Sequence, residues 1–417
     1  MRIEDKPQPA GPSSRPKRFR IKQRAVANLE AELLKRVRTH DGLSRVDLAR
    51  QLHLAPSTVG AYVDRLIEEG FLSERQKASR DFGRPPTLLA LNPGGGRFIG
   101  VDFEAANLMA TAVDFSQQPM RQIHHPILAS DSVEQVIAKI EHVIEMLFQD
   151  HPRPVLGIGV GVPGVIDGTR QVALDYHHIQ GWKNIPLGER LARRFGVPVS
   201  LENNIRSMAL AEMWFGHGRG VENFICLGIR TGIASGVVAG GRLLHGAENL
   251  AGEIGHWLCP VGPIQRGATA EPWVCQGMQP LEKIASTRAI LATVRAGIAE
   301  GHSTVLASKA SPIEFEDVAQ AFKAGDELVG RVLGNIAQTL GWVVCQVNAL
   351  LNPKKIILAG PLVTLGQRFL DPLRKAADEF CAELHQRGPQ VEDSALGSFN
   401  GALGAAALAL HEWKPRR

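Results

Sequence analysis

Two widely separated segments of the sequence repeat one strand–loop–strand pattern. Residues 98–103 and 108–115 are apolar runs joined by a short loop, and residues 224–228 and 235–238 repeat this arrangement. Helix-like stretches follow each copy, and a repeated supersecondary unit indicates a duplicated architecture. The sequence therefore predicts an α/β body with two related lobes, spanning residues 93–417.

The first 92 residues are far more basic than the rest of the chain. They contain 18 Lys+Arg and 11 Asp+Glu, whereas the remainder contains 29 and 31. A basic segment in front of a slightly acidic body is typical of a domain that meets phosphates. Residues 1–18 combine these charges with prolines and glycines, which predicts a disordered basic arm that either touches DNA or stays solvated.

Residues 19–92 have the element order of a winged helix-turn-helix. Apolar residues recur at helical spacing from about residue 25 to 38, and a capping box at Ser44 and Asp47 starts a second helix. Pro56 stands at the first position of a third helix. Two strand-like runs around a polar tip then predict a wing. The alternative is a three-helix protein-binding module.

The predicted DNA contacts follow from this arrangement. Small hydroxyl residues at a helix N-terminus suit phosphate contact and close approach to base edges, and an extended arginine can enter a narrow minor groove. The predicted set is Ser57, Thr58, Gly60, Tyr62 and Arg65 in the third helix, with Arg80 and Arg84 in the wing.

A glycine-rich stretch, 246–256, places Glu253 and His256 three residues apart. On one helical turn this spacing directs a carboxylate and an imidazole into the same space, where they can bind sugar hydroxyls. A capping or solvated role for the two side chains is the alternative that the spacing alone leaves open.

Gly246-Ala247, followed by Ala251-Gly-Glu-Ile-Gly-His256, resembles the signature of the ROK family of repressors and sugar kinases, and the likeness extends over residues 25 to 410. The resemblance implies an actin-like ATPase (ribonuclease H-like) body of the sugar-kinase type. Gly83-Arg84-Pro85-Pro86 is similar to the stretch that ROK repressors insert in the minor groove, in a domain that free-standing ROK kinases usually lack. The sugar contacts implied by the resemblance are Asn203, Asn204, Glu253, His256, Glu282 and Gly164.

The sequence departs from ROK kinases where the chemistry takes place. The first phosphate loop, residues 102–107, has no glycine and contains an extra carboxylate, Glu104. Asn204 stands where the kinases have the aspartate that takes the proton from the sugar hydroxyl, and an amide cannot do so. We therefore predict no catalytic residue and no enzyme activity. The alternative is a ROK kinase that phosphorylates a hexose with ATP.

The cysteine cluster that holds zinc in ROK proteins is also reduced. Cys275 remains, with His256 and Cys259 as possible partners, whereas a closed structural zinc site has four ligands. The prediction is a loop without metal and a protein without cofactors, with zinc as the open alternative.

Five scattered cysteines and no apolar run of membrane length predict a soluble cytoplasmic protein. The expected function is sequence-specific regulation, as a repressor, of carbohydrate metabolism genes. The expected partners are double-stranded operator DNA, a sugar or sugar-derivative effector, and a second copy of the chain in a homodimer or a dimer of dimers.

Overall fold

The computed structural model describes residues 17–40, 42–76, 87–104, 106–264, 275–385 and 387–415, with side chains from residue 28 onward. The chain divides into two compact units, residues 1–96 with 411–417 and residues 97–410. We call the first unit the head and the second the body. The predicted arm, residues 1–18, lies outside the described residues except for its last two.

In its described residues the head has three α-helices followed by a two-stranded antiparallel sheet, so the predicted winged helix-turn-helix is confirmed. Ser44 caps the second helix, and its hydroxyl and backbone N–H form the predicted reciprocal pair with Asp47. The first helix starts at Lys17, earlier than predicted. The apolar spacing could not reveal this start, because residues 17–24 are mostly charged and carry no apolar stripe. The elements are α1 (Lys17–Thr39), α2 (Arg45–Leu52), α3 (Pro56–Glu68), β1 (Leu72–Gln76) and β2 (Thr87–Leu91).

The C-terminal residues belong to the head. The Trp413 ring meets the Phe71 ring edge-on, with centroids 4.9 Å apart. The Lys414 ammonium donates to the Asn28 side-chain oxygen at 2.9 Å. No pattern in the sequence signals this return of the chain, and the sequence division at residue 93 therefore placed residues 411–417 in the body.

The first lobe of the body is a five-stranded sheet in the order β10-β6-β3-β4-β5, with helices and a small three-stranded sheet packed around it. Its central strands are buried on both faces. The elements are β3 (Arg97–Phe103), β4 (Asn107–Asp114), β5 (Pro119–Pro126), α4 (Val133–Gln149), β6 (Val155–Val162), β7 (Val165–Asp167), β8 (Val172–Asp175), β9 (Lys183–Ile185), α5 (Leu187–Phe195), β10 (Val199–Asn203) and α6 (Asn204–Phe215).

The second lobe repeats the topology in a five-stranded sheet ordered β13-β12-β11-β16-β17. In both lobes an antiparallel meander of three strands is extended by two parallel strands, which confirms the predicted duplication. The elements are β11 (Phe224–Ile229), β12 (Ile233–Ala239), β13 (Arg242–Leu243), β14 (Leu258–Pro260), β15 (Met278–Pro280), α7 (Leu281–Ala285), α8 (Thr287–Ala299), α9 (Phe315–Ala324), α10 (Glu327–Leu351), β16 (Lys355–Ala359), α11 (Gln367–Glu383) and β17 (Gln390–Asp393). The last helix, α12 (Asn400–Glu412), packs against Gly100 of β3 and Gly159 of β6 in the first lobe.

Helix α10 is the one helix, among the described residues, that is long and apolar enough to cross a membrane. Two thirds of its most apolar window is nevertheless buried inside the protein. Its side chains belong to the same hydrophobic cluster as those of α8, α9 and α11. It is therefore a core helix of the second lobe.

Candidate functional site

The N-terminal end of α3 forms an accessible polar surface on the head. Pro56 occupies the first turn, and Ser57 and Thr58 follow it with exposed side chains. Gly60 and Tyr62 are half-buried one turn further on. The positive end of the helix dipole and two exposed hydroxyls suit contact with phosphate. Their contact with DNA stays a prediction.

Arg65 also has a partner inside the head. Its guanidinium lies 3.2 Å from the carboxylate of Glu30, a fully buried residue of α1, and 5.2 Å from the centre of the Tyr62 ring. The ion pair links α1 to α3. Arg65 was predicted as a DNA contact, and it also holds its own helix in place. Arg80 and Arg84 lie outside the described residues, beyond the last β1–β2 pair, Gln76 and Thr87.

Arg45 is a supporting residue that the sequence reasoning missed. Its guanidinium lies 2.6 Å from the Asp64 carboxylate of α3 and 2.8 Å from the Glu74 carboxylate of β1. It therefore joins the start of α2 to the third helix and to the wing. The basic character of the head alone does not reveal which arginines are paired internally.

In the body, the Glu253–His256 motif forms a 3₁₀ turn, Ile254–His256, rather than an α-helix. Positions i and i+3 eclipse in a 3₁₀ turn, so the spacing still places both side chains on one side. The pKa of Glu253 is raised by burial, and the neighbouring charge of His256 opposes this shift. His256 itself is exposed.

Close packing against β12 explains the glycine beside Glu253. Gly252 has φ +94°, and a Cβ there would lie 1.9 Å from the carbonyl oxygen of Ser235. The Ser235 N–H donates to the Gly252 carbonyl at 2.7 Å. The glycine therefore lets the motif lie directly on the sheet, which fixes where Glu253 is placed.

Asn203 and Asn204 stand at the junction of β10 and α6. The Asn203 side chain caps α6, accepting from the Ile205 and Arg206 N–H groups, and donates to the Gly164 carbonyl at 3.0 Å. The Asn204 amide donates to the Phe103 carbonyl at 3.4 Å, and both asparagines are buried. Gly164 follows β6 with φ +74°. Asn203 thus has a structural role in addition to the predicted sugar contact.

An ion network that the sequence reasoning missed holds the motif against the first lobe. The buried Glu202 carboxylate accepts from Arg206 Nε and lies 2.7 Å from His245 Nε2. Arg206 also donates to the Asn249 carbonyl at 2.9 Å. Burial alone would raise the pKa of Glu202, but the hydrogen bond from His245 and the charge of Arg206 outweigh it and lower that pKa. The opposite charges of Glu202 and Arg206, four residues apart in the sequence, were the available signal.

Glu282 lies in the first turn of α7, where it approaches both the motif and a pair of histidines. One carboxylate oxygen accepts from the Ile233 N–H at 3.1 Å. Its ligand atom and those of His177 and His178 all lie within 4.8 Å of one another. Burial, with the neighbouring charges of His177 and Arg288, lowers the pKa of His178.

The two loops that correspond to phosphate loops are joined by a buried ion network. Arg230, in the loop after β11, donates from Nη1 to Asp102 Oδ1 at 3.2 Å, and its Nη2 lies 2.8 Å from Asp102 Oδ2. Its Nε lies 3.6 Å from Glu104, which also accepts from the Thr231 N–H at 3.4 Å. Burial raises the pKa of Asp102 to about 6, although Arg230 opposes that shift. The sequence reasoning noted Glu104 but missed Arg230, its counter-charge.

Whether zinc binds at His256, Cys259 and Cys275 stays a prediction. In the part of the chain that is described, these three residues do not form a group whose ligand atoms all lie within 4.8 Å of one another. The Cys275 thiol donates to the Gly277 carbonyl at 3.3 Å. Burial raises the pKa of the Cys259 thiol to about 12.

Comparison with known proteins agrees with both units. The ROK family model matches residues 98–412, about three quarters of the chain. The chain belongs to the ROK family. A winged helix-turn-helix DNA-binding model matches residues 30–73. The body therefore has the ROK sugar-kinase-type, actin-like architecture, and the head is a winged helix-turn-helix of the DNA-binding type.

Individual relatives differ in whether they include the head. The xylose repressor of Caldicellulosiruptor bescii is 26% identical over 91% of this chain and 94% of its own length. The glucokinase of Thermotoga maritima is 29% identical but covers 75% of this chain and 96% of its own length. A crystal structure of a ROK family transcriptional regulator, a homolog of the E. coli MLC protein, has a TM-score of 0.75 and 25% identity. That match covers 93% of this chain and 97% of that one.

Proposed function

We infer that this ROK protein is a DNA-binding transcriptional repressor that responds to a sugar or sugar derivative. The observation that carries this inference is a winged helix-turn-helix head joined to a ROK body. The similarity to the xylose repressor covers both parts, because it extends over 91% of the chain. The exposed end of α3 supplies the DNA-binding surface. Carbohydrate metabolism genes are the expected targets.

The proposed effector site lies around the Glu253–His256 turn. Glu253 and Glu282 supply carboxylates and His256 an imidazole, groups that accept and donate hydrogen bonds to sugar hydroxyls. The resemblance to the ROK sugar contacts adds Asn203, Asn204 and Gly164 to the proposed site. An effector acts by binding more tightly to the state that has low operator affinity.

We also propose that the body has no kinase activity. Arg230 places a guanidinium between Asp102 and Glu104, at the loops that would hold ATP phosphates in ROK kinases. Nucleotide phosphates would have to displace this buried ion network, and two carboxylates there repel a triphosphate. Asn204 supplies no general base. Both features support a binding function without phosphoryl transfer.

We place the repressor in the cytoplasm, bound to operator DNA as a homodimer or a dimer of dimers. Helix-turn-helix proteins generally read two half-sites one helical turn or multiples apart, which requires two heads. A footprint with two related half-sites, together with a dimer mass in solution, is the expected result.

The first experiment is capture of genomic fragments by the purified full-length protein at physiological salt, repeated with a panel of sugars and sugar phosphates. We expect discrete fragments, released by one compound. Absence of selective capture would contradict the repressor function. Fragments that every compound leaves bound would contradict sugar control and indicate a partner protein.

The kinase alternative is tested separately. Purified protein is incubated with ATP and the same sugars, and ADP release is measured. We expect no turnover, and we expect Asn204→Asp alone to remain inactive because Arg230 still occupies the phosphate loops. Phosphorylation of any hexose by the unmodified protein would overturn the proposal.

A further inference from the structure

We propose that His177, His178 and Glu282 bind a divalent transition-metal ion such as Zn²⁺. Their ligand atoms lie within 4.8 Å of one another, and they form the one such group of three among the described residues. The site is distinct from the reduced cysteine cluster, because it contains neither Cys259 nor Cys275. Metal binding can be measured without DNA or sugar, so the inference does not rest on the proposed function.

The two histidines lie in a turn that is anchored on both sides. Tyr176 and Trp182, at its ends, are 8% and 2% exposed. The Trp182 N–H donates to the Ile179 carbonyl at 3.1 Å, and the Tyr176 N–H donates to the Trp182 carbonyl at 3.2 Å. The histidines between them are therefore held at a fixed position, with ring centroids 3.9 Å apart. A supported backbone of this kind pre-organises a ligand pair.

Glu282 reaches the same point from the second lobe. Its Oε2 accepts the Ile233 N–H at 3.1 Å, which orients the carboxylate. This backbone bond corresponds to the outer-shell contacts that orient ligands in metal sites. A tetrahedral zinc site separates its ligand atoms by about 3.4 Å, given bonds of roughly 2.1 Å. The exposed His177 side chain can rotate, which would shorten the distances between the ligand atoms to this value.

The donor set determines the class of ion. Two imidazoles and one carboxylate suit zinc, cobalt, nickel or ferrous iron, whereas magnesium and calcium prefer oxygen ligands alone. Three protein ligands leave a coordination position open for water or a substrate oxygen. Since Glu282 is also a proposed sugar contact, the open position would face the edge of that site and accept a sugar hydroxyl.

Arg288 is a neighbouring group whose charge opposes the ion. Its Nη1 lies 3.5 Å from His178 Nδ1, and its side chain is exposed. A cation at the histidines would be repelled by this guanidinium, which also competes for the ring nitrogen. Removing it leaves all three ligands intact. Arg288→Ala is therefore expected to bind metal more tightly.

The test is titration of chelator-treated, full-length protein with Co²⁺, followed by visible absorption, and with Zn²⁺, followed by calorimetry. We expect one ion per chain. His178→Ala and Glu282→Gln should each weaken binding by about tenfold or more, since even outer-shell changes cost 10–100-fold. Arg288→Ala should strengthen it. The matched control is His124→Ala/His125→Ala, which removes an adjacent histidine pair on β5.

Three results would overturn the site. The first is that His178→Ala leaves the Zn²⁺ affinity unchanged. The second is that the wild type binds Zn²⁺ no more tightly than a variant lacking both His177 and His178. The third is a cobalt spectrum with thiolate charge-transfer bands that Cys259→Ser/Cys275→Ser removes, because this would assign the ion to the cysteines. A gain of metal affinity in Arg288→Ala cannot result from misfolding. It would therefore show that the three residues bind the ion, rather than only supporting the fold.

Discussion

At the scale of single residues, the Asp102–Arg230 pair gives the body a specific pH response. Burial raises the pKa of Asp102 from 3.8 to about 6. Between these two values the folded protein binds more protons at this carboxylate than the unfolded protein does. This contribution to the free energy of unfolding is therefore fully present below the unfolded pKa and is lost as pH rises through about 6. From pH 7.5 to 5, the wild type should gain about 1 kcal/mol relative to Asp102→Asn. Urea unfolding at both pH values measures the difference.

Asp131 provides a control of opposite sign. A hydrogen bond from Lys139 and another from the Leu128 N–H lower its pKa, so its contribution is present above the unfolded pKa and is lost in acid. Asp131→Asn should therefore cost stability at neutral pH and progressively less as the pH falls. If Asp102→Asn behaves in the same way, the carboxylate of Asp102 is stabilised in its charged form, and our assignment of burial as the dominant effect is wrong.

Gly252 is the residue whose replacement should disturb the effector site most directly. A Cβ at this position would meet the Ser235 carbonyl at 1.9 Å, so Gly252→Ala must shift the motif that carries Glu253. Gly241, on the β12–β13 turn, also has a positive φ, +70°, but a Cβ there meets nothing within 4 Å. Gly241→Ala should cost about 1 kcal/mol of stability, the usual penalty of a left-handed residue. Gly252→Ala should cost more and abolish sugar-induced release from DNA, measured by fluorescence anisotropy. Equal effects of the two variants would show that the close approach of Gly252 to Ser235 does not determine the position of the motif.

At the scale of elements, α3 allows a substitution that separates DNA binding from folding. Ser57 is exposed in the first turn of α3, where an acidic side chain is neutral or stabilising for the helix. The same charge repels DNA phosphates, so Ser57→Glu should weaken operator binding about tenfold or more without lowering the melting temperature. Ser311→Glu adds the same charge at an exposed loop of the body and should leave the affinity unchanged. Equal operator affinity in both variants would show that this end of α3 does not face DNA.

The elements also show where sequence reasoning ends. The Ser44–Asp47 capping box, the start of α3 at Pro56 and the two strand–loop–strand copies were predicted correctly, because each is a pattern within one short continuous stretch of the chain. The Arg230–Asp102 bond joins residues 128 positions apart, and no local pattern encodes it. The same holds for the pairing of the 177–178 turn with Glu282. Helix type was also missed at Glu253, because a spacing of three fits a 3₁₀ turn as well as an α-helix.

At the scale of the whole molecule, the proposed effector site and the DNA surface belong to different compact units. The proposed control is therefore a coupling free energy between two binding equilibria, and such coupling is reciprocal. A sugar that weakens operator binding by a given factor must itself bind more weakly, by the same factor, to the protein–operator complex. Typical couplings are about 5- to 150-fold.

This reciprocity makes a quantitative prediction that does not require the identity of the conformational change. The affinity for operator is measured by anisotropy with and without saturating sugar, and the affinity for sugar is measured by calorimetry with and without saturating operator. The two ratios should agree, because both paths around the cycle lead from free protein to the same ternary complex. A control with Gly252→Ala should bring both ratios to one, since disturbance of the effector site removes the coupling from both measurements. If sugar releases the DNA but the operator leaves sugar affinity unchanged, release does not result from binding at equilibrium, and sugar control through the body is contradicted.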